Sequence, residues 1–251
     1  MRRLGVALVV LAAATIPTAP GFAFDEVFRQ TYALPAGGSF QLQNVNGSVQ
    51  VSGWERDVVE VYAVKSTQGN PKDLERVSIE VQAQEGSVTV HTHYPQDDGV
   101  EVYVEYHIRV PQRIDLRQVA TVNGAVRVFG VEASGELRSV NGDIEAFDSS
   151  GRLSAHTTNG NVRMELHRVE GKEPMNVETM NGSVLLALPN GVGAELDVRI
   201  LNGDFRSELP VTVRGSSGAR EFRARLGSGG SPLRMRTVNG AIRLVSLRPM
   251  V

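Results

Sequence analysis

The sequence predicts an all-β chain: a β-solenoid, or β-helix, of about seven coils of 18–22 residues, preceded by an antiparallel β-sheet region that caps it. Three observations carry this expectation. Seven copies of the dipeptide Asn-Gly share one register of flanking residues. Apolar and polar residues alternate on both sides of each copy, the period of a strand with one buried face. Gly is frequent, 26 of 251 residues, as a chain with many tight corners requires.

The elements follow in order. Residues 1–23 are expected to be a secretory signal peptide. Arg2 and Arg3 form its charged start, and Gly21, Phe22 and Ala23 its small-x-small cleavage pattern. Leu4 to Ile16 is apolar but short for a membrane span of about 20 residues. An uncleaved anchor is the alternative. Cleavage leaves 24 basic against 28 acidic residues, so no basic surplus exists to hold nucleic acid or an anionic membrane. The chain has no Cys, which excludes disulfides, thiolate metal sites, a Cys nucleophile and a lipid anchor on Cys. The expected address is periplasmic or extracellular. With the signal removed, an integral membrane protein is not expected, because no later apolar stretch is long enough to span.

Residues 24–112 are expected to form the antiparallel region, with strands at Val58–Val64, Val77–Val81, Val88–His93 and Val100–Val110. Pro111 closes the last of them, since Pro cannot donate to a ladder. Such a region would cover the open edge of the first coil and prevent end-to-end aggregation.

Residues 113–251 are the repeat region. The corners are Asn46-Gly47, Asn123-Gly124, Asn141-Gly142, Asn159-Gly160, Asn181-Gly182, Asn202-Gly203 and Asn239-Gly240, the first lying ahead of the region itself. From Asn123 the gaps are 18, 18, 22, 21 and 37 residues. The last gap reads as two periods with a degenerate copy between, in which Phe222, Ala224 and Leu226 alternate with charged residues. Aligned on the Asn, the copies form columns. Four places before it stand Leu42, Val119, Leu137, Ala155, Val177, Val198 and Met235; three places after it stand Val49, Val126, Ile144, Val162, Val184, Phe205 and Ile242. Two places before it, Thr121, Ser139, Thr157, Thr179 and Thr237 are broken by Asn44 and Ile200. Stacked hairpins in a sandwich share the alternation, but they do not require the columns. A chain that coils once per repeat does, with coils about 4.8 Å apart and like residues over like. Asn-Gly tolerates the positive φ of a tight corner, and a stacked Asn column can bond amide to amide. No helix is expected after the signal.

The segments TVNGAVRV, TTNGNVRM, TMNGSVLL and TVNGAIRL share the pattern T-x-N-G-x-V/I-x-V/L, with Met164 in the last place of the second. With NVNGSVQVSGWERDVVEVYAVK and YHIRVPQRIDL ahead of them, they resemble the bacterial putative-adhesin family of unknown function. The resemblance covers nearly all of the chain after residue 23. It implies an exported, β-rich protein with solenoid-like stacking and supplies no catalytic residues.

No constellation of catalytic residues is apparent. The only acids two places after the corner Asn are Asp143 and Asp204. In sequence order they stand three coils apart, about 14 Å at the strand spacing, beyond the roughly 5–9.5 Å of a glycosidase pair. Asp97 and Asp98 are adjacent in a turn. His91 and His93 share a strand face, with His107 as a possible neighbour across the sheet, but no third zinc ligand is fixed by spacing. There is no G-x-S-x-G elbow, and Gly215-Ser216-Ser217-Gly218 reads as a loop. Arg127, Glu145 and Arg163 would form an outward charge ladder. Trp54 follows Gly53 at a turn, where packing or capping outweighs a sugar platform. Asn46 and Asn181 match the glycosylation pattern N-x-S, which the repeat already explains. The column one place before the Asn (Val45, Val122, Val140, Thr158, Met180, Leu201 and Val238) is apolar although alternation points it outward. It either turns inward at the corner, or is covered, or forms an exposed strip.

The expected function is therefore an exported, non-enzymatic adhesin or envelope scaffold that binds a cell-envelope or surface component, polysaccharide or protein. A carbohydrate-active β-helix enzyme is the alternative. No cofactor, metal site or nucleic-acid partner is expected, and the fourteen Asn and Gly corner residues are expected to be structural.

Overall fold

The computed structural model describes residues 24–96, 99–169, 171–216 and 220–247. The expected signal peptide, Asp97, Asp98, Ser217 and Gly218 lie outside the described residues.

Alternation yields twenty strands in one continuous sheet. The first seven are β1 (Phe24–Ala33), β2 (Ser39–Gln43), β3 (Val49–Trp54), β4 (Val58–Thr67), β5 (Ser78–Gln84), β6 (Ser87–His93) and β7 (Val102–Pro111). Then come β8 (Arg113–Asn123), β9 (Val126–Phe129), β10 (Glu132–Asn141), β11 (Ile144–Asn159), β12 (Val162–Arg168), β13 (Met175–Asn181) and β14 (Val184–Leu188). The last six are β15 (Ala194–Asn202), β16 (Phe205–Ser207), β17 (Val211–Ser216), β18 (Glu221–Leu226), β19 (Ser231–Asn239) and β20 (Ile242–Ser246).

The pairings resolve into two ladders around one core. The first runs β5-β6-β2-β8-β10-β11-β13-β19-β15-β18-β17. The second runs β1-β4-β7-β3-β9-β11-β12-β14-β20-β16. β11 is long enough to serve both, Ile144–Phe147 in the second and Ser150–Asn159 in the first. Pairing is parallel through the middle of each ladder, and equal columns meet: Leu137 lies opposite Ala155, Ala155 opposite Val177, and Val162 opposite Val184. Apolar residues from both ladders join one buried cluster.

Three expectations are corrected. First, the front region is mixed rather than antiparallel. β1, β4 and β5 pair antiparallel, but β2 and β3 pair in parallel with β8 and β9, and also with β6 and β7. Their columns fit the repeats, so they join the stack. Second, the segment read as a degenerate copy is a hairpin: β18 pairs antiparallel with β15 and with β17. The chain then returns, and β19 and β20 enter between the coil before and the coil after it in space; β19 lies between β13 and β15. The spatial order of corners is thus 46, 123, 141, 159, 181, 239, 202. Third, a short helix, α1 (Asp73–Arg76), is present. Its Leu74 packs on the end of the core, held there by the buried Lys65, whose Nζ donates to Leu74 O (2.8 Å) and Val77 O (3.1 Å) and pairs with Glu26 (2.8 Å). At the other end Phe205 and Phe222 meet edge to face at 5.0 Å.

Candidate binding face beside the asparagine ladder

The corners are held by three interlocking sets of hydrogen bonds. Each Asn amide donates to the next: Asn123 to Asn46 (2.7 Å), Asn141 to Asn123 (2.8 Å), Asn159 to Asn141 (2.8 Å), Asn181 to Asn159 (2.8 Å), Asn239 to Asn181 (2.7 Å) and Asn202 to Asn239 (2.8 Å). Six of the corner Gly N–H groups, all but that of Gly203, donate to the Asn carbonyl of the adjacent corner, as Gly142 does to Asn159 at 2.9 Å. The hydroxyl column supplies the third set. Thr121, Ser139, Thr157, Thr179 and Thr237 donate to the carbonyls of Gly47, Gly124, Gly142, Gly160 and Gly182 at 2.8–2.9 Å. The hydroxyl column is therefore conspicuous in the sequence because it satisfies a corner carbonyl at five steps of the stack. Asn44 breaks it at the first corner and donates instead to Val104 O (2.9 Å) and Gly47 O (3.2 Å). Tyr94 closes that end, donating to Asn46 O and Val102 O; burial pushes its pKa up to about 12, so the phenol keeps its proton. Replacing Thr157 by Val keeps the volume and leaves the Gly142 carbonyl without its hydroxyl. The expected result is a loss of about 1–2 kcal/mol in unfolding free energy, read from urea denaturation.

The corner glycines are required for a reason beyond the positive φ expected of them. A Cβ on Gly124, Gly142, Gly160, Gly182, Gly240 or Gly203 would stand 1.8–2.2 Å from the carbonyl oxygen of the neighbouring corner glycine. Close approach of stacked backbones excludes a side chain at all of these positions. Positive φ is also present at Gly47 (+122°), Gly240 (+152°), Gly203 (+156°) and Gly182 (+159°), whereas Gly124, Gly142 and Gly160 are not in the left-handed region.

The column before the Asn lies outside the core. Val122, Val140, Met180 and Leu201 are 37%, 41%, 51% and 49% exposed, and Val45, Thr158 and Val238 are half-buried. Of the three readings, the exposed strip is the one present. It flanks two clefts on the outer face of the first ladder. One, of about 450 Å³, has Met180, Ile200, Leu201 and Val238 in its lining. The other, of about 390 Å³, has Val122 and Val140, and both include His156 and Thr157. On the far side of the strip from the amides runs a charged column. Arg138 pairs with Glu136 (2.7 Å), His156 stands between Glu136 (3.3 Å) and Glu178 (3.4 Å), Arg236 reaches Glu178 (3.6 Å) and Arg199 pairs with Glu221 (3.0 Å). The repeat alignment contained this column three places before the Asn; its pairing depends on which coils are neighbours.

The remaining candidates are dispersed. With the last coil inserted, Asp143 and Asp204 stand four coils apart rather than three, about 19 Å at the strand spacing. Asp143 accepts from Asn161 N (2.7 Å) and Asp204 pairs with Arg206 (2.8 Å). His91 and His93 stack at 4.4 Å on the first ladder, and His93 bonds Glu80 at 2.7 Å. His107 is on β7 in the second ladder, beside Tyr62, so it does not join them. Among the described residues no group of three or more potential ligands could hold a metal. On the second ladder Arg127 pairs with Glu145 (2.8 Å), while Arg163 turns to Glu165 (2.8 Å) and lies over Phe147. Trp54 is packed: Nε1 donates to Val58 O (2.8 Å), and Arg56 and Arg109 lie over its ring.

The described residues form a β-stack, parallel through its middle, with an Asn-Gly corner at each step. Residues 31–244 match the model of the Toastrack DUF4097 family, and the chain belongs to that family. Among solved structures it is similar to one described as a putative cell adhesion protein from Clostridium sporogenes ATCC 15579, at 12% identity and a TM-score of 0.49, covering 88% of this chain and 100% of that one. It is also similar to a putative adhesin from Bacteroides fragilis NCTC 9343, at 10% identity and a TM-score of 0.33, covering 87% and 97%. At such identities and scores these likenesses say nothing about a ligand. No curated protein matches the chain. Among the described residues no helix is long and apolar enough to cross a membrane.

Proposed function

We propose that this is an exported, non-enzymatic β-solenoid protein that binds a cell-envelope or surface component, polysaccharide or protein. In this reading the seven corner-bearing coils form a rigid stack, closed at both ends by antiparallel strands. Residues 24–112 supply one end and its first coil, and residues 113–251 the remainder. The corner Asn and Gly residues carry architecture, not chemistry.

The exposed apolar strip carries the proposal. Four apolar side chains each more than a third exposed, aligned along one face, are an interaction surface in the usual sense. The dispersal of Asp143 and Asp204 favours binding over glycoside hydrolysis. The test uses isolated envelope polysaccharide and envelope protein fractions, presented separately. A Val140→Glu, Met180→Glu double variant is expected to lose about tenfold or more in affinity for the fraction that binds, equivalent to about 1.4 kcal/mol of lost contact. Arg163→Asp, on the opposite wall, is expected to bind as the parent does. Equal loss in both variants, or in neither, overturns the assignment of the face.

A further inference from the structure

We propose that the larger cleft, at the end of the first ladder near β15 and β19, binds a long-chain carboxylate, that is a fatty acid. Its head would lie at Arg220 and Arg236 and its chain along the apolar strip. The proposal rests on the reading of this face as a binding face, and it adds a ligand of another class to the polysaccharide or protein proposed above.

Size and lining come first. The cleft, about 450 Å³, is within the range of small-molecule sites. Met180 and Leu201, both half exposed, line it together with Ile200 and Val238. An acyl chain gains by covering such a surface, whereas a polar oligomer gains little.

The charged residues supply the second observation. Three arginines line the cleft, Arg199, Arg220 and Arg236, against two acids, Glu178 and Glu221. Arg199 is held by Glu221 at 3.0 Å. Arg236 is poorly satisfied: its nearest carboxylate contact is 3.6 Å to Glu178, and its Nε is buried without a hydrogen-bond partner. Arg220 is exposed and has no ion-pair partner among the described residues. One cation in excess complements a head with one negative charge. A phosphomonoester head brings more charge than the lining can neutralise, and a neutral head leaves Arg220 unused.

The strip then sets the direction of the chain. It continues from Met180 past Thr158 to Val140 and Val122, into the second cleft, with which the first shares His156 and Thr157. A chain with its head at Arg220 lies across successive coils.

Calorimetric titration of the protein with the carboxylate series from octanoate to hexadecanoate, each below its micellar concentration, tests this. Affinity is expected to rise with length, by up to about fourfold per methylene if burial is complete. Alcohols of matched length are expected to bind more weakly. Arg220→Gln, at an exposed position, is expected to reduce the carboxylate to the affinity of the alcohol, and Met180→Glu to abolish binding. The proposal is overturned by the absence of binding, by equal affinity for carboxylate and alcohol, by an Arg220→Gln variant that binds as the parent does, or by a phosphate-headed lysolipid that binds more tightly than the carboxylate. If Val140→Glu, Met180→Glu loses envelope binding while no carboxylate binds, only this inference fails. If carboxylate binding depends on Met180 and Arg220 while envelope binding ignores the strip, the broader reading fails alone.

Discussion

Gly142→Ala is expected to unfold the stack or to leave it only marginally stable. The new Cβ would stand 2.0 Å from the Gly124 carbonyl oxygen and 2.4 Å from its carbon. Both are backbone atoms within a parallel ladder and cannot swing aside as a side chain does. The two coils must therefore part at the corner. Parting stretches Gly124 N–H to Asn141 O (3.1 Å), Ser139 Oγ to Gly124 O (2.8 Å) and the Asn141–Asn123 amide bond (2.8 Å). Overpacking costs about 1–3 kcal/mol and each weakened hydrogen bond about 1, so a loss of about 4 kcal/mol or more is expected in urea or thermal unfolding. Gly215→Ala is the control. Nothing lies within 4 Å of its added Cβ and its φ is not left-handed, so its stability is expected to equal the parent's. If the two alanines cost the same, the close approach of corners is not what requires glycine.

Val162→Asp and Arg163→Asp are adjacent in sequence and expected to differ by several kcal/mol. Val162 is 1% exposed, between Ile144 and Val184 in parallel register. A carboxylate there has no partner, and burying it costs several kcal/mol or forces it to take up a proton. Arg163 faces solvent, with its side chain 55% exposed. Its replacement removes a surface pair with Glu165 and places an acid opposite Glu145, an effect of about 1 kcal/mol or less. Circular dichroism and urea midpoints read both. Similar tolerance of the two changes would mean that inside and outside have been misassigned.

Much of this architecture was legible in the sequence because a repeat supplies its own alignment. Columns read from seven copies separated Val162 from Arg163, placed the Asn residues over one another and marked the hydroxyl position before its partner was known. The fate of the column from Val122 to Leu201 was not legible. Alternation pointed it outward and hydrophobicity pointed it inward, and only the surrounding surface shows that nothing in the described chain covers it. The cleft is equally a product of neighbours. Arg236 and Arg199 belong to different copies, and Arg220 precedes a hairpin strand that the repeat pattern had absorbed as a degenerate coil.

By itself, the sequence determined the period, the parity of each strand and the chemistry of every corner, because these depend on residues within one coil. Which coil lies on which was decided by tertiary structure. Equal columns make coils nearly interchangeable as parallel neighbours, so their matching cannot rank Asn202 against Asn239 for the place beside Asn181. The ends decide: the coil carrying Ile200 in place of the hydroxyl and Phe205 in place of a β-branched residue lies outermost, where its neighbours are β18 and Phe222, while the coil carrying Thr237 lies inside, donating to the Gly182 carbonyl. A terminal coil packs against a different surface from an internal one, and that difference exists only once the chain is folded.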